Sequence, residues 1–408
     1  MKLAYLSNYF PSLTETFIYR EVIELKRRGV DPAIYSLRRP PASGVSAESR
    51  ALYASAFYLL PVPFRGLVGS HVRFFLAGPL RYAAALVKML AGGHRRQKDR
   101  IRSLMHFGEG APLAERMVAD GVGHVHAHFA SQSASVARVI HLLTGIPYSF
   151  TGHAHDIWQD RLLLAEKLGE AAFVVTCSDK ARRTLLAEAR ADVSSKVHLV
   201  YHGLDIDNFP YANGDGRERN LILAVGRLTQ TKGFSDLISA CALLARRGFP
   251  FRCNIIGEGE DRRPLEAMVE ANDLSGRVLL PGAVPQEEVR AHYRRAWVFA
   301  LPSIDAPDGN RDGIPNVLME AMASGTPVIT TANSGQAELI RHGLDGLLVP
   351  VHAPAALADA IMAVCGSDAF RERLAAGGRQ RVAEAFDNRK TIEPLLSLFR
   401  EFVPRPDG

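Results

Sequence analysis

The feature that most constrains this chain is the way apolar strand-like runs alternate with amphipathic helical stretches through both halves. Leu221-Ile-Leu-Ala-Val225 is apolar without alternation, the mark of a strand covered on both faces. Beyond it the pattern predicts a helix at 234–247, a strand at 253–256, a helix at 262–272, a strand at 278–280, a helix at 285–295 and a strand at 298–301. A further helix follows, then a strand at 327–331, a short helix at 337–342 and a last strand at 346–349. The N-terminal half repeats the theme, with strands at 3–6, 33–37, 124–129, 147–151, 173–177 and 197–201 and a first helix at 15–28. Alternation at this spacing means right-handed βαβ units, and hence two doubly wound, Rossmann-like parallel sheets.

A chain of 408 residues suits two domains better than one core. The polar, glycine-bearing stretch 205–219 reads as a hinge between an N-terminal domain at 1–204 and a C-terminal domain at 220–385, with a closing helix at 386–408. Two such domains are expected to face each other across a cleft at the carboxyl ends of their strands, where ligands bind. The four cysteines, Cys177, Cys241, Cys253 and Cys365, form no CxxC pair and lie in apolar patterns. They read as reduced core residues of a cytoplasmic protein. The N-terminus runs straight into a strand without a long apolar leader, which argues against secretion. A net charge of +6 suits an anionic partner. No helix-turn-helix, zinc-finger or RNP-like pattern appears, so nucleic acid is not expected. The stretch 51–100 is rich in Leu, Phe, Tyr and Val, is interrupted by Arg65, Arg73, Arg81 and Lys88, and ends in a basic cluster. It holds no uncharged run near the about 18 residues that span a bilayer. It reads as a helical excursion, either packed on its domain or touching anionic lipid from the cytoplasmic side.

The chemistry concentrates in Asp312-Gly-Ile-Pro-Asn-Val-Leu-Met-Glu320-Ala-Met-Ala-Ser-Gly325. Pro315 opens a helix where a missing N–H costs nothing, and Gly325 closes it. The free amides at such a helix start suit a diphosphate. The flanking carboxylates suit sugar or ribose hydroxyls, or positive charge developing on an anomeric carbon. An ordinary helix start with acids near its dipole fits the acid pair alone. Gly226-Arg227-Leu-Thr-Gln-Thr-Lys232-Gly233 places two cations five residues apart after a strand, which suits a pyrophosphate or simply a solvated surface. Gly257-Glu-Gly-Glu-Asp261 is a tight βα loop but not a dinucleotide fingerprint, since Arg262 stands where the third glycine belongs. Phe150-Thr-Gly-His153-Ala-His155-Asp156 closes an N-terminal strand; two histidines and an aspartate could bind metal, but the sequence places no third ligand.

Together these segments resemble the family 4 glycosyltransferases of the GT-B fold. The stretch 312–320 is similar to their acid-x7-Glu signature, with Asp312 where Glu is usual, and 226–233 to their GR-x4-KG element. The resemblance spans nearly the whole chain and implies a retaining, metal-independent hexosyltransferase using a nucleotide diphosphate sugar. It implies that Arg227, Lys232 and the amides near Gly313, Ile314 and Pro315 hold the diphosphate, that Glu320 holds the ribose, and that Asp312 contacts the sugar. Gly257 would bring backbone to the nucleotide, and Val284, in Gly282-Ala-Val-Pro-Gln286, would lie beside the base. His153 matches the family's site histidine, which contacts the donor sugar, with Asp156 at the second fixed position; His155 falls at a variable one. His128, in His126-Ala-His128, is expected to line the cleft. The loop Phe10-Pro-Ser-Leu-Thr14-Glu15-Thr16-Phe17 is similar to that of colanic-acid and exopolysaccharide transferases and would face a glycan or lipid-linked acceptor, with Thr14 as a plausible N-cap. Asp205-Ile-Asp207 falls in the family's G-x-D-x3-F hinge, so it is not read as a metal-binding DxD; no cofactor is expected. The last two helices are expected to cross back to the first domain. A sugar-nucleotide epimerase of the same fold, a glycogen- or sucrose-type transferase with a soluble acceptor, and a non-catalytic nucleotide-sugar binder are the alternatives.

Overall fold

The computed structural model describes every residue except 1, 13–14, 43–44, 47, 95, 190–191, 213–215, 334 and 404–408. The chain folds as two compact units. Unit 1 comprises Met1–His202 and Thr391–Gly408, and unit 2 comprises Gly203–Lys390. Unit 1 holds a seven-stranded parallel sheet: β1 Lys2–Tyr9, β2 Ala33–Arg38, β3 Phe57–Leu60, β4 Val122–His128, β5 Tyr148–Gly152, β6 Val174–Thr176 and β7 Val197–Leu199, in the order β3-β2-β1-β4-β5-β6-β7. Unit 2 holds six: β8 Leu221–Val225, β9 Arg252–Ile256, β10 Val278–Gly282, β11 Val298–Leu301, β12 Val328–Thr331 and β13 Leu347–Val349, in the order β10-β9-β8-β11-β12-β13. The apolar runs follow this placement. β8 and β11, central in the sheet, are buried at every residue, whereas the edge strand β10 alternates between buried and exposed.

Each sheet has one point where the strand order reverses. In unit 1 the chain builds outward through β2 and β3 and then returns to the other side of β1 with β4. In unit 2 it builds through β9 and β10 and returns beside β8 with β11. Loops leaving the carboxyl ends of such a strand pair run to opposite sides and open a crevice between them. Sequence motifs sit on those loops: 10–12 in unit 1, 226–233 and 302–315 in unit 2.

Several local features go beyond the sequence pattern. The 51–100 excursion contains β3, which pairs with β2 through Tyr35–Phe57 and Arg38–Leu60. Four residues bounded by Pro61 are too short to show a period. The helices Phe64–Ala77 and Pro79–Leu90 follow, and among the described residues no helix is long and apolar enough to cross a membrane. The closing helix Asn388–Phe402 buries Ile392, Leu395, Leu396 and Phe399 in one cluster with Tyr5, Ile18, Val22 and Phe173 of unit 1.

The stretch 205–219, read as a hinge, belongs wholly to unit 2 and is anchored there. Arg217 is buried. Its guanidinium donates to the carbonyl oxygens of Ala296 (2.7 Å), Gly325 (2.7 Å), Ser324 (2.9 Å) and Tyr293 (3.1 Å) and to Thr326 Oγ1 (3.0 Å). One cation thus closes the carboxyl end of the Asn316–Ala323 helix onto the end of the Gln286–Arg295 helix. Burial lowers its pKa to about 10, so the charge is retained at neutral pH. Replacing Arg217 by Met keeps the stem and strands these carbonyls. We expect unit 2 to lose about 2–4 kcal/mol, read from urea unfolding followed by Trp297 fluorescence.

Candidate functional site

At the switch point of unit 2, the β8 and β11 loops bring together residues 80 positions apart. Lys232 Nζ lies 2.7 Å from Asp312 Oδ1, and Ser303 Oγ donates to Asp312 Oδ2 at 2.8 Å. Both charged side chains are largely, but not fully, withdrawn from solvent. Arg227, five residues before Lys232, is exposed and has no polar side-chain partner among the described residues. The crevice therefore carries one open cation and one cation held by the signature carboxylate.

Backbone contacts fix this geometry. A Cβ on Gly257 would stand 1.8 Å from the Gly226 carbonyl oxygen, and one on Gly233 would stand 1.9 Å from that of Pro302. Both residues have positive φ, 150° and 65°. The β8 loop is thus clamped between the β9 and β11 loops, with Gly226 N–H donating to Ile256 O (3.0 Å), Leu228 N–H to Glu258 O (2.9 Å) and Ile304 N–H to Thr231 O (2.9 Å). Gly257 serves this loop-to-loop contact first.

The signature helix is Asn316–Ala323, with Pro315 as its N-cap rather than its first residue. Pro315 has no N–H, so it offers no amide to an anion; Asn316 and Val317 supply the N–H groups of the first turn, next to Gly313 and Ile314. Gly325 closes the helix at φ 75°. Glu320 is buried. It accepts from Tyr293 Oη at 3.0 Å and Gln286 Nε2 at 3.2 Å, which ties it to the Gln286–Arg295 helix. Half-buried Val284 lies two residues before Gln286 on the same segment. Tyr293, Gln286 and Ser303 were not singled out from sequence, because only the fold brings them to the acids. Asp207 pairs with Arg389 at 3.0 Å.

The switch point of unit 1 carries a different chemistry. His128 Nε2 lies 3.1 Å from Glu21 Oε1, which also accepts from Tyr5 Oη at 2.7 Å. His128 Nδ1 lies 3.5 Å from His153 Nε2, and His153 Nδ1 lies 3.4 Å from His202 Nε2. Phe17 covers the outer two rings, with centroids 4.3 Å from His202 and 4.7 Å from His153. Behind the chain, His126 bonds Ser149 (2.8 Å) and Thr151 (2.9 Å). Burial holds His153 well below the usual imidazole range and His202 at about 4. For Glu21, burial pushes the carboxyl up, but His128, His202 and Tyr5 outweigh it and leave it below the usual carboxylate range.

Asp156 explains the His-x-x-Asp spacing. It accepts from the His153 N–H at 2.9 Å and from the Ala130 N–H, locking the loop after β4 to the loop after β5. His155 is exposed. Glu15 is the N-cap of the Thr16–Arg27 helix, and Thr16 is buried in its first turn; Thr14, expected as the cap and on the acceptor side, lies outside the described residues. Glu21 and His202 escaped the sequence reading, one inside a helix and one after a strand end. Two sets of potential metal-binding atoms lie within 4.8 Å of one another, on His153, Cys177 and His202 and on Glu21, His126 and His128. Both ring nitrogens of His126, His128 and His153, and Nε2 of His202, face hydrogen-bonding partners.

Residues 205–381 match the family described as glycosyl transferases group 1. Over nearly the whole length, the chain is 28% identical to the amylovoran biosynthesis glycosyltransferase AmsK of Erwinia amylovora, with 99% of this chain and 100% of that one aligned. It is 29% identical to the putative colanic acid biosynthesis glycosyltransferase WcaL of Salmonella typhimurium, with 98% and 100% covered. Among solved structures it is similar to Anabaena Alr3699/HepE in complex with UDP and glucose, at a TM-score of 0.71 and 15% identity over 98% of this chain and 100% of that one. Sucrose-phosphate synthase of Thermosynechococcus elongatus gives a TM-score of 0.74 at 18% identity, covering 98% and 99%. The fold is GT-B.

The buried imidazoles set an acid limit. His124 (about 4), His153 and His202 titrate lower in the folded chain than when exposed. The unfolded chain therefore takes up protons first as pH falls. Stability from this source is complete above about 6.5 and is lost as pH drops from there toward 4. Urea midpoints followed through Trp158 of unit 1 are expected to fall steadily over that window.

Proposed function

We propose that this chain, which belongs to the group 1 glycosyl transferases, moves a hexose with retention from a nucleotide diphosphate sugar to a glycan or lipid-linked acceptor hydroxyl in exopolysaccharide assembly. The observation that carries this reading is the Lys232–Asp312 pair beside unpartnered Arg227 at the unit 2 switch point. In the resting state each member of the pair satisfies the other. A diphosphate entering the crevice offers Lys232 a stronger partner and releases Asp312 toward the sugar hydroxyls. Arg227, Lys232 and the first-turn amides then balance the charge that grows on the leaving diphosphate, the work a divalent metal does in other transferases. Glu320, held by Tyr293 and Gln286, is assigned to the ribose, and Gly257 and Val284 to the nucleotide. Front-side attack through an oxocarbenium-like state fits a site whose contribution is mostly electrostatic.

On unit 1, Glu15, Thr16 and His128, with Thr14, are assigned to the acceptor side, and His153 keeps the catalytic assignment its motif implies. The relatives in amylovoran and colanic acid synthesis support the polysaccharide setting, and a neighbour of the same fold that binds UDP supports a nucleotide-linked donor.

Thermal shift against UDP, GDP, ADP and their sugars is expected to single out one base, because a ligand of the native state raises its melting point. With that donor, Asp312→Ala is expected to cut turnover about 100-fold or more. Unchanged turnover would remove Asp312 from the site.

The excursion of unit 1 supports a second element of this reading, contact with an anionic bilayer that presents the acceptor. Phe64, Val68, Val72, Phe75, Leu76, Leu80 and Val87 are exposed on the helices Phe64–Ala77 and Pro79–Leu90. Neither helix contains an acidic residue, and Arg65, Arg73, Arg81 and Lys88 stand exposed among the apolar positions. Apolar side chains that reach the acyl boundary beside cations that meet lipid phosphates are the pattern of an interfacial surface. Co-sedimentation with phosphatidylglycerol vesicles is expected at low salt, weakened at high salt and abolished by Phe64→Ser with Leu80→Ser. No co-sedimentation at low salt would refute it.

A further inference from the structure

The turn that ends β4 in unit 1 carries a conformation its residue does not favour. Phe129 stands at φ 76°, in the left-handed region, where a bulky side chain is uncommon. Such a conformation persists only where its surroundings over-determine it. Here the two polar backbone groups of the next residue are gripped by opposite charges. Asp156 accepts from the Ala130 N–H, and Lys167 donates to the Ala130 carbonyl oxygen. Both are charge-assisted bonds, and both favour the same backbone orientation. Lys167, on the helix Leu164–Glu170, is fully buried. Its ammonium has three N–H groups and meets three acceptors, adding the Ser131 carbonyl oxygen at 3.1 Å and Ser135 Oγ at 2.9 Å. Burying an ammonium is costly, and all three of these bonds go to residues 130–135. Backbone bonds from the Phe129 N–H to Thr151 O (2.9 Å) and from the Ala134 N–H to Phe129 O (3.2 Å) complete the turn. The Phe129 ring then lies against His153, with centroids 4.4 Å apart.

We propose that Lys167 is a positioning residue of the unit 1 site: with Asp156 it forms a charge clamp that holds residues 129–131 in their strained turn, so that Phe129 fixes the ring of His153. This rests on the transferase reading above, which gives His153 a part in the reaction. Lys167 touches no substrate and acts through the turn. Without the ammonium, the Ala130 and Ser131 carbonyls are stranded and Asp156 pulls from one side only. Phe129 then relaxes toward ordinary backbone, and its ring moves off His153. An imidazole already held in one orientation needs no ordering during turnover, whereas a loose one must be ordered each time. The titratable and charged groups that face the ammonium are Arg102 and His106 from the helix Gln97–Ala119, Arg138 from the helix Gln132–Thr144, Asp156 from the helix Ala154–Trp158, and Asp160 just after it. Burial lowers Lys167 to about 7, against the pull of Asp160 and Asp156. The clamp is therefore at full strength on the acid side of that value and weakens as pH rises through it.

The test uses the full chain. Lys167→Met keeps the apolar stem and removes the charge. With the nucleotide sugar selected by thermal shift, and well below the melting point, its kcat is expected to fall about 10- to 100-fold while the donor thermal shift is retained. Ser135→Ala removes one acceptor of the three and serves if the Met variant does not fold; a loss of about 3-fold is expected there. Because the ammonium gives up its proton as pH rises, the ratio of wild-type to Lys167→Met kcat is expected to shrink above about 7. In protein labelled with ¹⁵N-histidine, assigned among the 14 histidines by single substitutions, the His153 ring resonances are expected to move in both variants. Those of His292, His342 and His352 in unit 2 are expected to stay. A lowered melting point with wild-type kcat and unmoved His153 resonances would make Lys167 a residue of stability alone and overturn the proposal. A kcat ratio that does not change with pH would overturn it too. Either result leaves the transferase reading standing. Failure of the wild-type protein to bind any nucleotide or nucleotide sugar would overturn that reading, and the His153 resonances would then decide the clamp by themselves.

Discussion

The structure depends on backbone meeting backbone at the carboxyl ends of parallel strands. In unit 2 the β8 loop lies so close to the β9 and β11 loops that a single Cβ at Gly257 or Gly233 would collide with a carbonyl oxygen. That closeness leaves no slack. It fixes where Lys232 enters the crevice, and so that its ammonium reaches Asp312. Arg217, buried below, closes the other end of the signature helix and holds Tyr293, which in turn holds Glu320. Site and scaffold are one hydrogen-bonded object here, and a change at Gly257 would act on the site through loop position.

The two units solve their electrostatics in opposite ways. Unit 2 keeps charges at the edge of solvent and pairs them, Lys232 with Asp312, so that an incoming polyanion has only to exchange partners. Unit 1 buries neutral imidazoles in series and anchors them on one carboxylate. A charged group in that setting would be costly to desolvate; a neutral donor–acceptor chain is not, provided every link is made. Across the sheet His126 satisfies both ring nitrogens on Ser149 and Thr151, and His124 Nε2 meets Ser149. The row of histidines on β4 is therefore compatible with a core position.

Much of this was legible in the residues. The unalternating run at 221–225 gave a buried strand, and the Arg227, Lys232, Asp312 and Glu320 constellation announced itself through spacing after strands. His153 and Asp156 were visible as a motif, although the reason for their spacing was not. Asp156 reaches the Ala130 N–H, a contact that spans two strands adjacent in the sheet but 26 residues apart in the chain. Other parts were hidden by local ambiguity. Strand β3 is too short to show a period, and Arg217, in a polar glycine-bearing stretch, looks like a solvated linker residue until the carbonyls around it are placed.

The sequence by itself determined the alternation of elements, the parallel sheets that follow from it, the glycines where loops must approach and the acids and cations of the signature segments. These are properties of periodicity and local backbone preference, which a linear chain carries openly. Only the tertiary structure decided which partners meet: Lys232 with Asp312, Glu320 with Tyr293, and Glu21 with His128, His153 and His202. The order of strands in a sheet sets those meetings, and that order comes from burying both faces of each sheet at once. Long-range pairing of that kind is a property of the whole packed core, and no window of sequence contains it.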